Sequence, residues 1–389
     1  MVQIQATLLF FVGLVASSRA FVVPTPRTRQ KPLLVAKVPP SVVEEREPVL
    51  SSIKDEGREP YLENPFYLDG DKPASAWELA VANFLKQSAT IGQQLGESVG
   101  FLEKDPLRPP DCLGLVLSNE AVAEAEKRRE AAGGKVDAHP VSRKLYEVGC
   151  FFLDSGFDGR PIQRFWFLET VARIPYFSYV SMLHLYESLG WWRAPELRKV
   201  HNAEEYNELH HLLICEALGG NGRWSDRFLG QHVAIAYYFF LVLVYLFSPR
   251  IAYEFMELLE SHAVDTYATF TAQNRERLKN LPPPNVATDY YTQGDLYLFD
   301  DFQVSRPAGS RRPPCDNLFD VFTNICEDEN EHVKTMRACQ EYVTNGTPIV
   351  SPHLLGEKKK KVTINQDQRR ELWRQWAAQV NNDNKKDRH

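Results

Sequence analysis

Four stretches of this chain place a glutamate inside an otherwise apolar helical stripe, and that pattern restricts the fold more than any total does. Tyr253, Met256, Glu260, Ala263, Tyr267 and Phe270 recur at intervals of three and four, so they share one helix face. Leu318, Phe322, Ile325, Glu329, His332 and Met336 do the same. Glu208 and His211 share a face with Cys215 and Leu218, and Glu169 has Ile162, Phe165 and Ala172 at helical spacing. A carboxylate in an apolar seam is costly unless it is neutralised or paired. Few Lys or Arg residues lie on these stripes, so several such carboxylates together call for another cation.

A pair of metal ions would supply it. Glu and His at i and i+3 point the same way from a helix, so both can reach one ion. One Glu from each of two helices plus Glu-x-x-His from each of two more is the ligand set of di-iron carboxylate bundles. The pattern therefore predicts an all-α, ferritin-like di-iron four-helix bundle, with Glu169, Glu208, His211, Glu260, Glu329 and His332 as ligands. Mixed oxygen and imidazole donors suit iron or manganese better than copper or a closed zinc site. Isolated acids are mostly surface residues; it is the order Glu, Glu-x-x-His, Glu, Glu-x-x-His on apolar helices that favours metal. Asn207 and Asp328 each precede a ligand Glu, four residues before the His of the same helix. Ligand histidines usually donate their free N–H to such groups, so Asp328 is expected against His211 and Asn207 against His332.

The rest of the chain frames this unit. Residues 6–16 are apolar and precede Ser18-Arg19-Ala20, a signal-peptide pattern too short to span a bilayer. Residues 21–45 then read as a transit-peptide-like segment, beginning at Phe21, basic and free of acids until Glu44. Residues 46–135 form a linker with short helices, 136–345 the metal-binding domain, and 346–389 a charged tail. Helices are expected over 75–98, 119–132, 142–154, 161–189 with a bend at Pro175, 233–247, 251–279 and 316–343. Asn202 with Glu205 three residues on reads as the cap that opens the Glu208 helix. Residues 285–315 read as an irregular insert. No period-2 strand pattern of any length occurs. The net charge of −6 gives no reason to expect nucleic acid, and six cysteines without a CxxC pair indicate no zinc ribbon or disulfide framework.

Leu168-Glu-Thr-Val-Ala172, Asn207-Glu-Leu-His-His211, Leu259-Glu-Ser-His-Ala263 and Glu327-Asp-Glu-Asn-Glu-His332 resemble, in order, the iron-ligand motifs of the alternative oxidases. The plastid branch is closest. It shares Ala172-Arg-Ile-Pro-Tyr-Phe177, Leu246-Phe-Ser-Pro-Arg250 and the insert Tyr290-Tyr-Thr-Gln-Gly-Asp-Leu-Tyr-Leu-Phe-Asp300, over about residues 160–340. Cys215 and Ala217 depart from the residues that plastid members usually carry there. The resemblance implies two non-haem irons on the six residues above and a catalytic tyrosine at Tyr267, two turns after Glu260 on the same face. It also implies a quinol pocket at Arg164, Leu168, Ala263 and Thr266.

The implied reaction oxidises plastoquinol and reduces O₂ to water. The implied setting is a monotopic homodimer on the stromal face of the plastid thylakoid. The apolar residues 233–247 are marginal for crossing about 30 Å of hydrocarbon, which favours membrane-associating helices over a span. Another di-iron hydroxylase or desaturase, and a mitochondrial ubiquinol oxidase of the same family, remain the alternatives.

Overall fold

The computed structural model describes residues 74–104, 108–293, 313–349 and 366–386. The expected presequence (1–45), the 294–300 motif of the insert and the basic 358–361 tract lie outside them. Among the described residues every regular element is helical: α1 (Ala76–Ser98), α2 (Asn119–Arg129), α3 (Pro140–Phe157), α4 (Pro161–Ala172), α5 (Ile174–Ser188), α6 (Pro195–Ala217), α7 (Trp224–Phe247), α8 (Pro249–Gln273), the short α9 (Arg275–Lys279) and α10 (Asn285–Thr288), α11 (Leu318–Asn345) and α12 (Gln366–Lys386). The all-α bundle expected from the sequence is the fold observed.

Local chemistry sets the helix ends. The side chains of Ser75, Ser118, Ser248 and Asn317 each accept from a backbone N–H of the first turn. Proline opens α3, α4, α6 and α8, where its missing N–H costs nothing. The rod that starts at Pro161 breaks at Arg173, because Pro175 cannot donate into the preceding turn.

Two expected boundaries move. The helix carrying Glu208 starts at Pro195, seven residues before Asn202, which is exposed within it. A single Asn on a solvated face costs only a fraction of a kcal/mol, so it does not stop the helix. The apolar helix likewise begins at Trp224 and runs for 24 residues.

Helices α4, α6, α8 and α11 form the bundle, with α8 lying along α11 and α4 along α6. Two apolar layers fill it. One contains Phe165, Trp166, Leu212, Cys215, Tyr267, Phe270, Phe322 and Ile325. The other contains Tyr176, Tyr179, Leu197, Val200, Tyr253, Met256, Met336 and Cys339. The six candidate ligands fall between these two sets on every helix in turn. Each glutamate is thus sealed from water by hydrophobic packing above and below.

The approach of α4 to the α6–α7 turn depends on glycine. A Cβ at Gly220 would sit 2.5 Å from Trp166 Cβ and 2.9 Å from Ile162 O. Gly219 has φ of +82° and faces the Pro109 carbonyl. Gly220→Ala is expected to destabilise the fold by about 1–3 kcal/mol, because neither neighbour is a flexible chain end. Chemical denaturation of the metal-free protein measures this directly.

Candidate metal centre

The bundle brings all six predicted side chains into one buried cluster. Two groups of ligand atoms lie mutually within 4.8 Å: Glu169, Glu208, His211 and Glu329, and Glu208, Glu260, Glu329 and His332. Glu208 and Glu329 belong to both, so the glutamates of the two Glu-x-x-His pairs stand between two positions. Glu169 with His211 completes one position, and Glu260 with His332 the other. His211 Nδ1 is 3.2 Å from Glu329 Oε1, 3.7 Å from Glu208 Oε2 and 3.8 Å from Glu169 Oε2. His332 Nδ1 is 2.8 Å from Glu208 Oε1 and 3.8 Å from both Glu260 Oε2 and Glu329 Oε2. None of the six is more than 2% exposed.

These residues fit metal ions on their own geometry. Glu169 Oε2 is buried without a hydrogen bond, and the Glu208 oxygens face the ligand histidines rather than a Lys or Arg. An orphaned acceptor such as Glu169 Oε2 is rare in proteins and needs a partner. Among the described residues no Lys or Arg forms an ion pair with any of the four glutamates. Burial, then repulsion from Glu208, pushes the Glu169 carboxyl well above its ordinary pKa; Glu329 rises for the same reasons. Burial disfavours a charged His211, but Asp328, Glu208 and Glu329 outweigh it and hold that imidazole well above its usual value. His332 is raised likewise by Glu208 and Glu260 against burial. The metal-free cluster therefore keeps protons that bound cations would displace.

A second ring of polar groups orients the first. Asp328 Oδ2 lies 3.1 Å from His211 Nε2 and also accepts from Tyr291 Oη at 2.8 Å and Asn207 Nδ2 at 3.2 Å. Asn207 does not turn to His332 as the spacing suggested; its amide donates to Asp328 and to Tyr290 Oη at 2.7 Å. The carboxylate and the amide thus both serve the His211 side, because Tyr290 and Tyr291 fold in over α6 and α11. Tyr267 Oη donates to Glu169 Oε1, and its ring stacks on Phe165 with centroids 4.3 Å apart. Tyr176 Oη donates to Glu260 Oε1 at 2.7 Å, an unforeseen counterpart. Each glutamate that serves a single position thus receives one tyrosine hydroxyl.

Further buried polar groups extend outward. His201 joins Glu204 Oε2 and Tyr253 Oη, each at 2.9 Å, and Tyr253 meets Tyr245 Oη at 3.1 Å. On the far side of α8, Arg164 is 1% exposed. Its Nη1 donates to Asn119 Oδ1 at 2.7 Å and pairs with Asp154 at 2.8 Å, and its Nη2 meets His262 Nε2 at 3.3 Å. Leu168 and Ala263 are half-buried nearby in sequence, while Thr266 is buried and its hydroxyl donates to the His262 carbonyl. His262 was not singled out in the sequence; its place two residues after Glu260 puts it on the opposite side of the helix.

Fold and cluster together define a helical-bundle protein with a buried carboxylate–histidine site for two metal ions. Residues 155–341 match the model of the family described as "Alternative oxidase". It is 56% identical over 205 residues to "Ubiquinol oxidase 4, chloroplastic/chromoplastic" of Arabidopsis thaliana, an alignment covering 53% of this chain and 57% of the relative. It is 28% identical over 171 residues to "Ubiquinol oxidase 1a, mitochondrial" of Oryza sativa subsp. japonica, covering 42% and 44%. The chain thus spans about half the length of these relatives.

Because Glu208 serves both positions, Glu208→Ala is expected to empty the whole site, whereas Glu260→Ala strikes the His332 position first. Metal counting on the folded variants separates the two. Loading must also release protons, since the raised groups are protonated beforehand. Metal affinity is therefore expected to strengthen as pH rises, with proton release read in weakly buffered solution.

Proposed function

We propose that this protein is a plastoquinol oxidase of plastids, reducing O₂ to water at two non-haem irons. Two quinols give four electrons and four protons to one O₂, yielding two quinones and two waters. The observation that carries this reading is the pair of metal-ligand groups sharing Glu208 and Glu329 inside an alternative oxidase domain. Glu169, Glu208, His211, Glu260, Glu329 and His332 are the proposed ligands. When bound, the irons supply redox chemistry that amino-acid side chains lack.

The protein's own residues do the rest. The two apolar layers exclude water. Asp328 fixes the His211 ring through Nε2, and Asn207 steadies Asp328. Tyr267 holds its hydroxyl on Glu169 and is the proposed catalytic tyrosine. Burial keeps that phenol protonated, so it can give up a proton and an electron together. Arg164, Leu168, Ala263 and Thr266 are the proposed quinol contacts.

A lipid-soluble quinol requires a membrane surface. Helix α7 is long and apolar enough to span one, and only 22% of its most apolar window is buried. Yet Ala234, Leu241 and Tyr245 pack inward while Ile235, Phe239 and Phe247 face outward. A helix with one edge committed to the protein supports attachment to one leaflet over a crossing. The resemblance to plastid oxidases, the name of the Arabidopsis relative and the acid-free stretch after the apolar N-terminus support a plastid address. The homodimer and the stromal face of the thylakoid follow from the same resemblance.

Anaerobic iron titration followed by quinol-dependent oxygen uptake tests the proposal. Uptake with two quinones formed per O₂ is expected; an oxygen atom found in the organic product would make the protein a hydroxylase instead. Tyr267→Phe is expected to keep its iron and lose turnover by about 10²-fold, the scale of a displaced proton-transfer group.

A further inference from the structure

Helix α1 wears its apolar side outward. It has no buried residue. Its partly covered positions, Ala82, Lys86, Gln87, Thr90, Gln94, Gly96 and Glu97, are small or polar. Polar bonds hold that side to the protein. Gln87 Oε1 accepts from Arg227 Nη2 at 2.8 Å, and Gln94 Nε2 donates to the Gly222 carbonyl at 2.8 Å. Gln94 Oε1 accepts from the Trp224 N–H at 3.2 Å, and Arg108 grips both oxygens of Glu97 at 3.0 and 3.1 Å. Roughly 150° round the helix, at 100° per residue, run Trp77, Val81, Phe84, Ile91 and Leu95, with Leu85 beside them. Trp77 is 77% exposed, Phe84 69%, Leu85 63% and Leu95 62%.

An amphipathic helix on a water-soluble surface faces the other way. Exposed apolar area costs roughly 25 cal/mol per Å² until something covers it. A second copy of the chain is a poor cover for this stripe, because stable protein interfaces engage roughly 20–30 residues a side. A bilayer interface has no such minimum. The stripe also continues into the outward face of α7: exposed Phe84 and exposed Phe228 border one groove of about 350 Å³, with Trp224 beside them. Trp77 near the start of α1 is a residue type favoured at the lipid–water boundary.

We propose that α1 is a second lipid-facing helix, lying in the interface plane so that Trp77, Val81, Phe84, Leu85, Ile91 and Leu95 enter the acyl boundary beside α7. The proposal rests on the reading of α7 as lipid-facing and extends it to a segment outside the 155–341 match. Membrane affinity then comes from two helices, and α1 adds a share the oxidase domain does not contain.

Flotation of the full-length, iron-loaded protein on phosphatidylcholine vesicles tests it. The variant Phe84→Ser/Leu85→Ser/Leu95→Ser is expected to lower vesicle partitioning about tenfold or more. It should keep its helical signal, iron content and oxidation of a water-soluble quinol in detergent. Ile235→Ser/Phe239→Ser, on α7, should lower partitioning as well. If the α1 variant floats like the wild type while the α7 variant does not, the α1 proposal is overturned and the membrane reading stands. If neither variant changes flotation, both fail. A fall in oligomeric mass with unchanged flotation would assign the stripe to a second copy and overturn the proposal. Should the triple variant unfold, acyl-brominated lipid decides: wild-type fluorescence must be quenched more than that of Trp77→Phe, and equal quenching places Trp77 outside the bilayer.

Discussion

The structure is organised around the cost of burying Glu169, Glu208, Glu260 and Glu329 together. Each is at most 2% exposed, and no Lys or Arg forms an ion pair with any of them among the described residues. In such surroundings carboxylates must hold protons or cations. The apolar layers on either side are therefore more than filler. By excluding water they make the cluster a poor place for bare charge and a strong place for divalent metal, so sealing and affinity come from the same packing.

Orientation is a separate problem, which the aromatic residues solve. Metal ligands need fixed directions, and hydrogen bonds from behind supply them. Tyr267 holds Glu169, Tyr176 holds Glu260, and Tyr291 with Asn207 holds the Asp328 that steadies His211. Phenols suit the task because each brings apolar area to the core and one polar atom to the site. Their burial keeps them protonated, so they remain donors. Apart from Asp328, the named groups that position the charged layer are neutral phenols and an amide.

The sequence carried the cluster clearly because helical spacing turns position into direction. Once Glu260 and Tyr267 are assigned to one helix, they must share a face. It did not carry contacts made between elements. Tyr290 and Tyr291 sit in a segment without periodicity, so nothing in the spacing predicts that they reach Asn207 and Asp328. Asn202 with Glu205 imitates a capping pair, and this hid Glu204, one turn before Glu208 and bound to His201. Tyr176 lies beyond the break at Arg173, which resets the helical phase. For α1 the pattern gives an apolar stripe but no sign of which way it turns, because periodicity fixes relative directions only.

On the proposed function, a lipid-borne reductant and a dry metal cluster make opposite demands on one small domain, and α8 meets both by having two sides. Glu260 and Tyr267 face the cluster. His262, two residues on, points away to Tyr146 and Arg164 at 3.2 and 3.3 Å. On that function, a quinol ring held near Arg164, beyond His262, stands about one helix diameter, roughly 10 Å, from the ligands. Electrons need cross only that thickness, while the isoprenoid tail stays with the apolar outward surface of α7. The quinol ring need not enter the apolar layers that enclose the carboxylates. That arrangement explains why exposed Phe239 and Phe247 on α7 and buried Glu260 on α8 lie on neighbouring helices.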